Sequence, residues 1–113
     1  MITIDKLVKY GANTEEALNR CYGNTSLYLK LVQTITTDDN IKKLKNALDN
    51  NDLDTAFQAA HALKGTLGNL SLTPLYEPTV EITELLRVKE EVDYTPYINK
   101  IIEKYNELIK LCD

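Results

Sequence analysis

The chain has 113 residues, of which 43% are hydrophobic and 27% charged, as expected for one globular domain with a continuous core. Its net charge of −4, with 13 Lys and Arg spread along the sequence, argues against a nucleic-acid-binding protein. No apolar run is long enough to span a membrane, and the first ten residues lack the apolar stretch of a signal peptide. We therefore expect a cytoplasmic, monomeric protein that acts on other proteins.

Helical periodicity dominates the sequence, and strand signals are weak. The pattern predicts short N-terminal helices at about 4–22, followed by longer helices at about 25–49, 53–71, 74–89 and 96–111. Short connections between amphipathic helices favour an all-α fold, an antiparallel up-and-down four-helix bundle, in a single domain of residues 1–113.

Local signals set the predicted helix ends. Asp52 is a good N-cap, and the pairs Thr73-Pro74 and Thr95-Pro96 suggest an N-cap followed by proline at the first helical position. The middle of the 25–49 segment, residues 36–40, is poor helix sequence and is expected to bend or fray. The apolar positions expected to face the core in that segment are Leu27, Leu31, Val32, Ile35, Ile41, Leu44 and Leu48.

The segment 53–71 contains the only histidine of the chain, His61. At about 100° per residue, its core seam takes Leu53, Ala56, Ala60, Leu63, Leu67 and Leu70. A second stripe beside that seam holds Phe57, His61, Lys64, Gly65 and Gly68. Each glycine inside a helix costs about 1 kcal/mol relative to alanine, so two on one face suggest a reason other than helix stability.

The second stripe suggests phosphoryl chemistry. Gly65 and Gly68 would leave a bare surface beside His61, so that another protein can approach the imidazole, which is a competent nucleophile at neutral pH. The ammonium of Lys64, three residues on, is placed to stabilise a phosphoryl group on that ring. Gln58, three residues before His61, is a possible polar neighbour. The sequence has neither a Walker A loop nor a glycine-rich kinase loop, so a partner is expected to supply the phosphate.

The residues His61-Ala62-Leu63-Lys64-Gly65 resemble the HxLKG signature of histidine-containing phosphotransfer (HPt) domains, and the resemblance covers most of the chain. It implies a phosphorelay intermediate without kinase activity, which accepts a phosphoryl group on His61 from a receiver-domain aspartate and passes it to another receiver. Response-regulator receiver domains and hybrid sensor histidine kinases are the implied partners. The magnesium ion would be held by the receiver, so no cofactor or metal is expected here. Ser71 lies where many members have glycine.

Other interpretations remain open. A non-catalytic helical adaptor would bind a receiver without phosphorylation, although it would not need the histidine, lysine and glycine together. A phosphoacceptor domain from a chemotaxis-type histidine kinase would use a similar motif. Asp38 and Asp39 are interpreted as a solvated bend rather than a metal site. Cys21 and Cys112 are expected to be reduced thiols, with a single disulfide as the alternative.

Overall fold

The computed structural model describes residues 1–113 and contains helices but no strand. Two N-terminal helices of seven residues each precede five longer helices. In chain order the helices are α1 (Ile4–Tyr10), α2 (Thr14–Arg20), α3 (Thr25–Ile35), α4 (Asn40–Asp49), α5 (Leu53–Asn69), α6 (Thr73–Arg87) and α7 (Thr95–Cys112). The predicted all-helical class is therefore confirmed.

The single helix predicted at about 25–49 is wrong, because the chain forms two helices separated by residues 36–39. The hydroxyls of Thr36 and Thr37 donate to backbone carbonyls three residues earlier, at 2.7 and 3.1 Å. The Asp38 carboxylate then accepts from the backbone N–H of Asn40 at 2.7 Å, just where α4 begins. Side chains that bond to nearby backbone compete with the helical ladder, which explains a full break rather than a bend.

The buried face of α3 also differs from the prediction. Leu27 and Leu31 are 40% and 37% exposed, whereas Tyr28, Val32 and Ile35 are buried. The Tyr28 hydroxyl donates to the backbone carbonyl of Leu70 at 2.9 Å and so reaches the end of α5. The apolar pattern was therefore correct for Val32 and Ile35, wrong for Leu27 and Leu31, and did not include Tyr28.

Helix α5 is the central element. It packs along α4 on one side and α6 on the other, while α6 packs on α7 and α4 also touches α7. The predicted core seam of α5 is confirmed for Ala56, Ala60, Leu63 and Leu67, all fully buried, and Leu70 follows at 5% exposure. Because this seam fixes the rotation of α5, it decides which of its side chains face solvent.

The ends of α5 are set by local hydrogen bonds. Asp52 is the N-cap, and its carboxylate accepts from the backbone N–H of Thr55 at 3.2 Å. At the other end, the N–H groups of Leu72 and Ser71 bond back to the carbonyls of Leu67 and Gly68, as in a Schellman motif. The helix therefore stops at Asn69, two residues before the predicted end.

Helices α6 and α7 begin one residue earlier than predicted. Thr73 and Thr95 are their first helical residues, so neither threonine is the N-cap. Both helices also end close to their predicted limits, with α6 stopping at Arg87 and α7 at Cys112. Both cysteine thiols are free, as expected. None of the helices combines the length and apolar character needed to cross a membrane.

Candidate functional site

His61 lies in the middle of α5 with its side chain exposed, between the buried Ala60 and Leu63. Phe57, one turn earlier, stands beside it with ring centroids 5.6 Å apart and ring planes tilted by 42°. The helical projection placed His61 on an outward stripe next to the core seam, and the structure agrees with that placement. An incoming group can therefore reach the imidazole from solvent.

A shallow concavity of about 350 Å³ opens beside the imidazole. Three of the residues predicted to form the site, Lys64, Gly65 and Gly68, lie along it with His61. Its wall is completed by side chains from three helices, and the full lining is Arg20, His61, Lys64, Gly65, Gly68, Asn69 and Tyr76. Two cations and one exposed imidazole thus border a single depression.

The two glycines of the site have different surroundings. A Cβ atom added at Gly65 would meet nothing within 4 Å, so this position is open on the solvent side. A Cβ at Gly68 would come within 3.1 Å of Cε1 of Tyr76 on α6. Gly68 was predicted to clear the surface near His61, and that interpretation needs correction, because its missing side chain makes room for the Tyr76 ring. Gly65 alone leaves the surface bare.

Lys64 is already engaged in an ion pair. Its ammonium Nζ lies 3.5 Å from Oε1 of Glu84 on α6, and the lysine side chain is 30% exposed. The other carboxylate oxygen, Oε2, is 3.2 Å from Nε of Arg87. The hydrogen bond from Arg87 is the main cause that lowers the pKa of Glu84, so this carboxylate is charged at neutral pH.

Arg87 connects this ion pair back to the histidine. Its guanidinium carbon lies 5.1 Å from the centroid of the Phe57 ring, within the range of a cation–π interaction. Phe57 in turn stands beside His61. The side chains of Phe57, His61, Lys64, Glu84 and Arg87 therefore form one cluster across the α5–α6 interface.

Arg20, from α2, forms the far rim of the concavity. One terminal nitrogen donates to the carbonyls of Gly68 and Asn69 at 3.2 and 3.0 Å, and to Oγ of Ser71 at 2.7 Å. The other donates to Glu16 at 2.7 Å. Because the last carbonyls of a helix lack intrahelical partners, this arginine satisfies the end of α5.

Two predicted neighbours lie away from the concavity. Gln58 is exposed and lines a separate groove between α4 and α5, with Asn40 and Lys43 among its neighbours. Asp38 and Asp39 border a groove against Tyr105 of α7, at the break between α3 and α4. No three His, Cys, Asp or Glu side chains are grouped as a possible metal site.

The sequence interpretation missed Arg20, Tyr76, Glu84 and Arg87. The pairing of Arg87 with Phe57 could have been predicted from the sequence. Both residues are 15 positions from Leu72 at the α5–α6 turn, so antiparallel packing of the two helices brings them together. Nothing local indicated Arg20, because its contacts with α5 span about 50 residues of sequence.

Comparison with known proteins assigns the chain to a protein family. Searches of curated protein sequences and of solved structures found no match. The family model described as Hpt domain matches residues 34–110, which is more than half of the chain and contains His61, Lys64, Gly65 and the ion-paired residues of α6. On this match the chain belongs to the Hpt domain family, the phosphotransfer domains of two-component phosphorelays.

Proposed function

We propose that the chain is a phosphorelay intermediate that carries a phosphoryl group on His61. One observation carries the proposal: the only histidine is exposed on α5, and the surface at Gly65 beside it is open for at least 4 Å. Lys64 supports it, because its cation lies one turn from the imidazole in the same concavity. Hpt domains are phosphocarriers that work with receiver domains and histidine kinases.

The chemistry requires little from this chain. An imidazole nitrogen of His61 attacks the phosphorus of a receiver aspartyl phosphate, so that an N–P bond forms while the P–O bond to aspartate breaks. Transfer to a second receiver reverses these steps. Phosphoryl transfer depends mainly on positioning and on neutralising charge. Lys64 supplies positive charge, and the magnesium ion would be held by the receiver.

The remaining parts of the proposal concern the whole chain. We infer a phosphocarrier without a nucleotide site, working in the cytoplasm as a monomer and comprising one domain over residues 1–113. Its helices α4 to α7 would form an up-and-down bundle, which the contacts of α5 with α4 and α6 and of α7 with α4 and α6 support. The expected partners are response-regulator receiver domains and a hybrid sensor histidine kinase.

The first test is direct phosphotransfer. A receiver domain phosphorylated with a small-molecule donor is incubated with the wild type and with His61→Gln, and acid-labile, base-stable phosphate is measured. We expect label on the wild type and none on the variant, because no other histidine exists. Circular dichroism confirms that the variant is folded. Equal labelling of both proteins would remove His61 from the mechanism.

A further inference from the structure

We propose that Glu84 is a positioning residue that pairs, in the unphosphorylated protein, with the two cations that pair with the phosphoryl group on His61 after transfer. The inference rests on the proposed phosphorylation of His61. It adds that Lys64 and Arg87 change partners when the phosphoryl group arrives. Glu84 would thereby keep both cations near the imidazole and also limit the stability of the phosphorylated form.

The geometry of the carboxylate carries this inference. Each oxygen of Glu84 is paired with a different cation, Oε1 with Nζ of Lys64 at 3.5 Å and Oε2 with Nε of Arg87 at 3.2 Å. A phosphoryl group likewise offers several anionic oxygens that bind lysine and arginine. Glu84 therefore binds one cation with each carboxylate oxygen. A phosphoryl group can replace it by binding the same two cations with two of its own oxygens.

Both cations belong to the side-chain cluster that contains His61. Lys64 follows His61 by three residues on α5 and borders the same concavity. Arg87 stacks on Phe57, whose ring neighbours the imidazole. Phe57 therefore neighbours both Arg87 and the imidazole, and we infer that an Arg87 side chain released from Glu84 extends past this ring toward a group on His61.

The exposure of the ion pair permits the exchange. The side chains of Glu84 and Arg87 are 52% and 46% exposed, and ion pairs in such surroundings are weak. A phosphoryl group carries a charge of about −1.5 to −2 at neutral pH, against −1 for a carboxylate. The phosphoryl group therefore competes well for the same cations, while the freed carboxylate repels it.

The competing explanation is that Glu84 only fastens α6 to α5. A fastening role would change the stability of the protein on substitution but leave the titration of a phosphoryl group on His61 unaltered. If Glu84 is instead displaced by the phosphoryl group, its substitution changes that titration, because the negative charge of the carboxylate raises the pKa of a nearby phosphoryl group.

The test uses phosphoramidate as the phosphoryl donor; His61 forms an N–P bond while the donor's P–N bond breaks and ammonia leaves. The phosphorylated wild type, Glu84→Gln and Glu81→Gln are titrated by phosphorus NMR. Glu81 is the matched control, an exposed glutamate one turn earlier on α6 that forms no ion pair. We expect Glu84→Gln to lower the phosphoryl pKa by about half a unit, a roughly threefold effect typical of exposed charges, and high salt to reduce the difference. Glu81→Gln should titrate within about 0.1 unit of the wild type.

A second measurement follows Arg87 itself. The chain has only two arginines, Arg20 and Arg87, so their side-chain Nε–H signals are resolved and are assigned by substitution. We expect the chemical shift of the Arg87 Nε–H signal to change when the wild type is phosphorylated. In unphosphorylated Glu84→Gln, where Arg87 has lost its carboxylate partner, this shift should lie closer to the value for the phosphorylated wild type. A double variant with Lys64→Ala should show a smaller effect of Glu84→Gln on the phosphoryl pKa.

The outcomes separate this inference from the proposed function. If wild-type His61 is phosphorylated but Glu84→Gln titrates as the wild type does, or the Arg87 signal does not move, the role of Glu84 is overturned and the phosphocarrier proposal stands. If neither phosphoramidate nor a phosphorylated receiver labels His61, both proposals fall.

Discussion

At the scale of single residues, Gly65 and Gly68 occupy one helical stripe yet meet different surroundings. Gly65 has open space on its outer side, whereas Gly68 lies against the ring of Tyr76. Neither glycine has a positive φ angle, so both could adopt their backbone conformation with a side chain. Their contributions therefore differ only in what a Cβ atom would touch.

This contrast predicts opposite effects of alanine. Gly65→Ala should stabilise the protein by up to about 1 kcal/mol, because alanine is the better helix former and meets no neighbour. Gly68→Ala should gain less or lose stability, because its methyl group would push on Tyr76. Urea unfolding of both variants measures the difference. If Gly68→Ala stabilised the protein as much as Gly65→Ala, the proposed contact with Tyr76 would be unimportant.

The exposure of His61 was predictable from sequence because it depends only on helical rotation about a well-defined core seam. The partner of Lys64 was not predictable in the same way. Glu84 lies 20 residues further on, and its pairing depends on how α6 lies against α5. Gly68 was misinterpreted for the same reason, since the Tyr76 ring reaches it from the neighbouring helix.

At the scale of helices, the end of α5 depends on an unusual residue. Ser71 has φ of +52°, a left-handed conformation that glycine adopts at lower cost. Its hydroxyl accepts from Arg20 and donates to Glu16, both at 2.7 Å. These two bonds join α2 to the end of α5, which gives a physical reason for a serine at this left-handed position.

Two substitutions at Ser71 separate backbone strain from hydrogen bonding. Both Ser71→Ala and Ser71→Gly remove the hydroxyl, but only glycine removes the cost of the left-handed backbone. We expect Ser71→Gly to be the more stable variant by about 1 kcal/mol, measured by urea unfolding. Equal stabilities would indicate that the backbone leaves the left-handed region when the hydroxyl is lost.

The break between α3 and α4 could not be predicted from the spacing of apolar residues alone. The apolar residues are spaced as in a helix on each side of residues 36–39, and the composition of the middle segment indicated only weakness there. Whether such a segment bends or separates depends on its local side-chain bonds and also on a bond from a distant helix. The Tyr105 hydroxyl of α7 donates to the carbonyl of Thr36 at 2.9 Å, a contact across 69 residues that no local pattern contains.

At the scale of the whole molecule, four tyrosine hydroxyls bond to backbone carbonyls. Those of Tyr10, Tyr28 and Tyr105 donate to distant helices or their ends, at Lys104, Leu70 and Thr36, while that of Tyr94 donates to Glu90 in the α6–α7 connection. Burial is the main cause that raises the pKa of all four, and it raises that of Tyr28 to about 12. Three of these phenols thus join elements that are distant in the sequence, and the fourth bonds within the α6–α7 connection, while they are protonated.

Stability should therefore fall in alkali. A phenol whose pKa is higher in the folded than in the unfolded chain contributes its full stabilisation below the unfolded pKa, near 10, and loses it as the pH rises through the folded value. We expect the free energy of unfolding, from urea titrations at several pH values, to decline between about pH 10 and 12. Tyr28→Phe should lose about 1 kcal/mol at neutral pH and decline less steeply. A flat profile for the wild type would contradict this assignment.

The rim that Arg20 contributes lies outside residues 34–110, the part of the chain matched to the family. Helix α5 lies inside the matched segment, whereas one rim of the depression beside it comes from α2, outside that segment. If the chain works as proposed, substitutions of exposed residues in α2 alter the shape and charge that a docking receiver meets without changing His61. Under that proposal, the choice among receiver domains can change while the residue that carries the phosphoryl group stays the same.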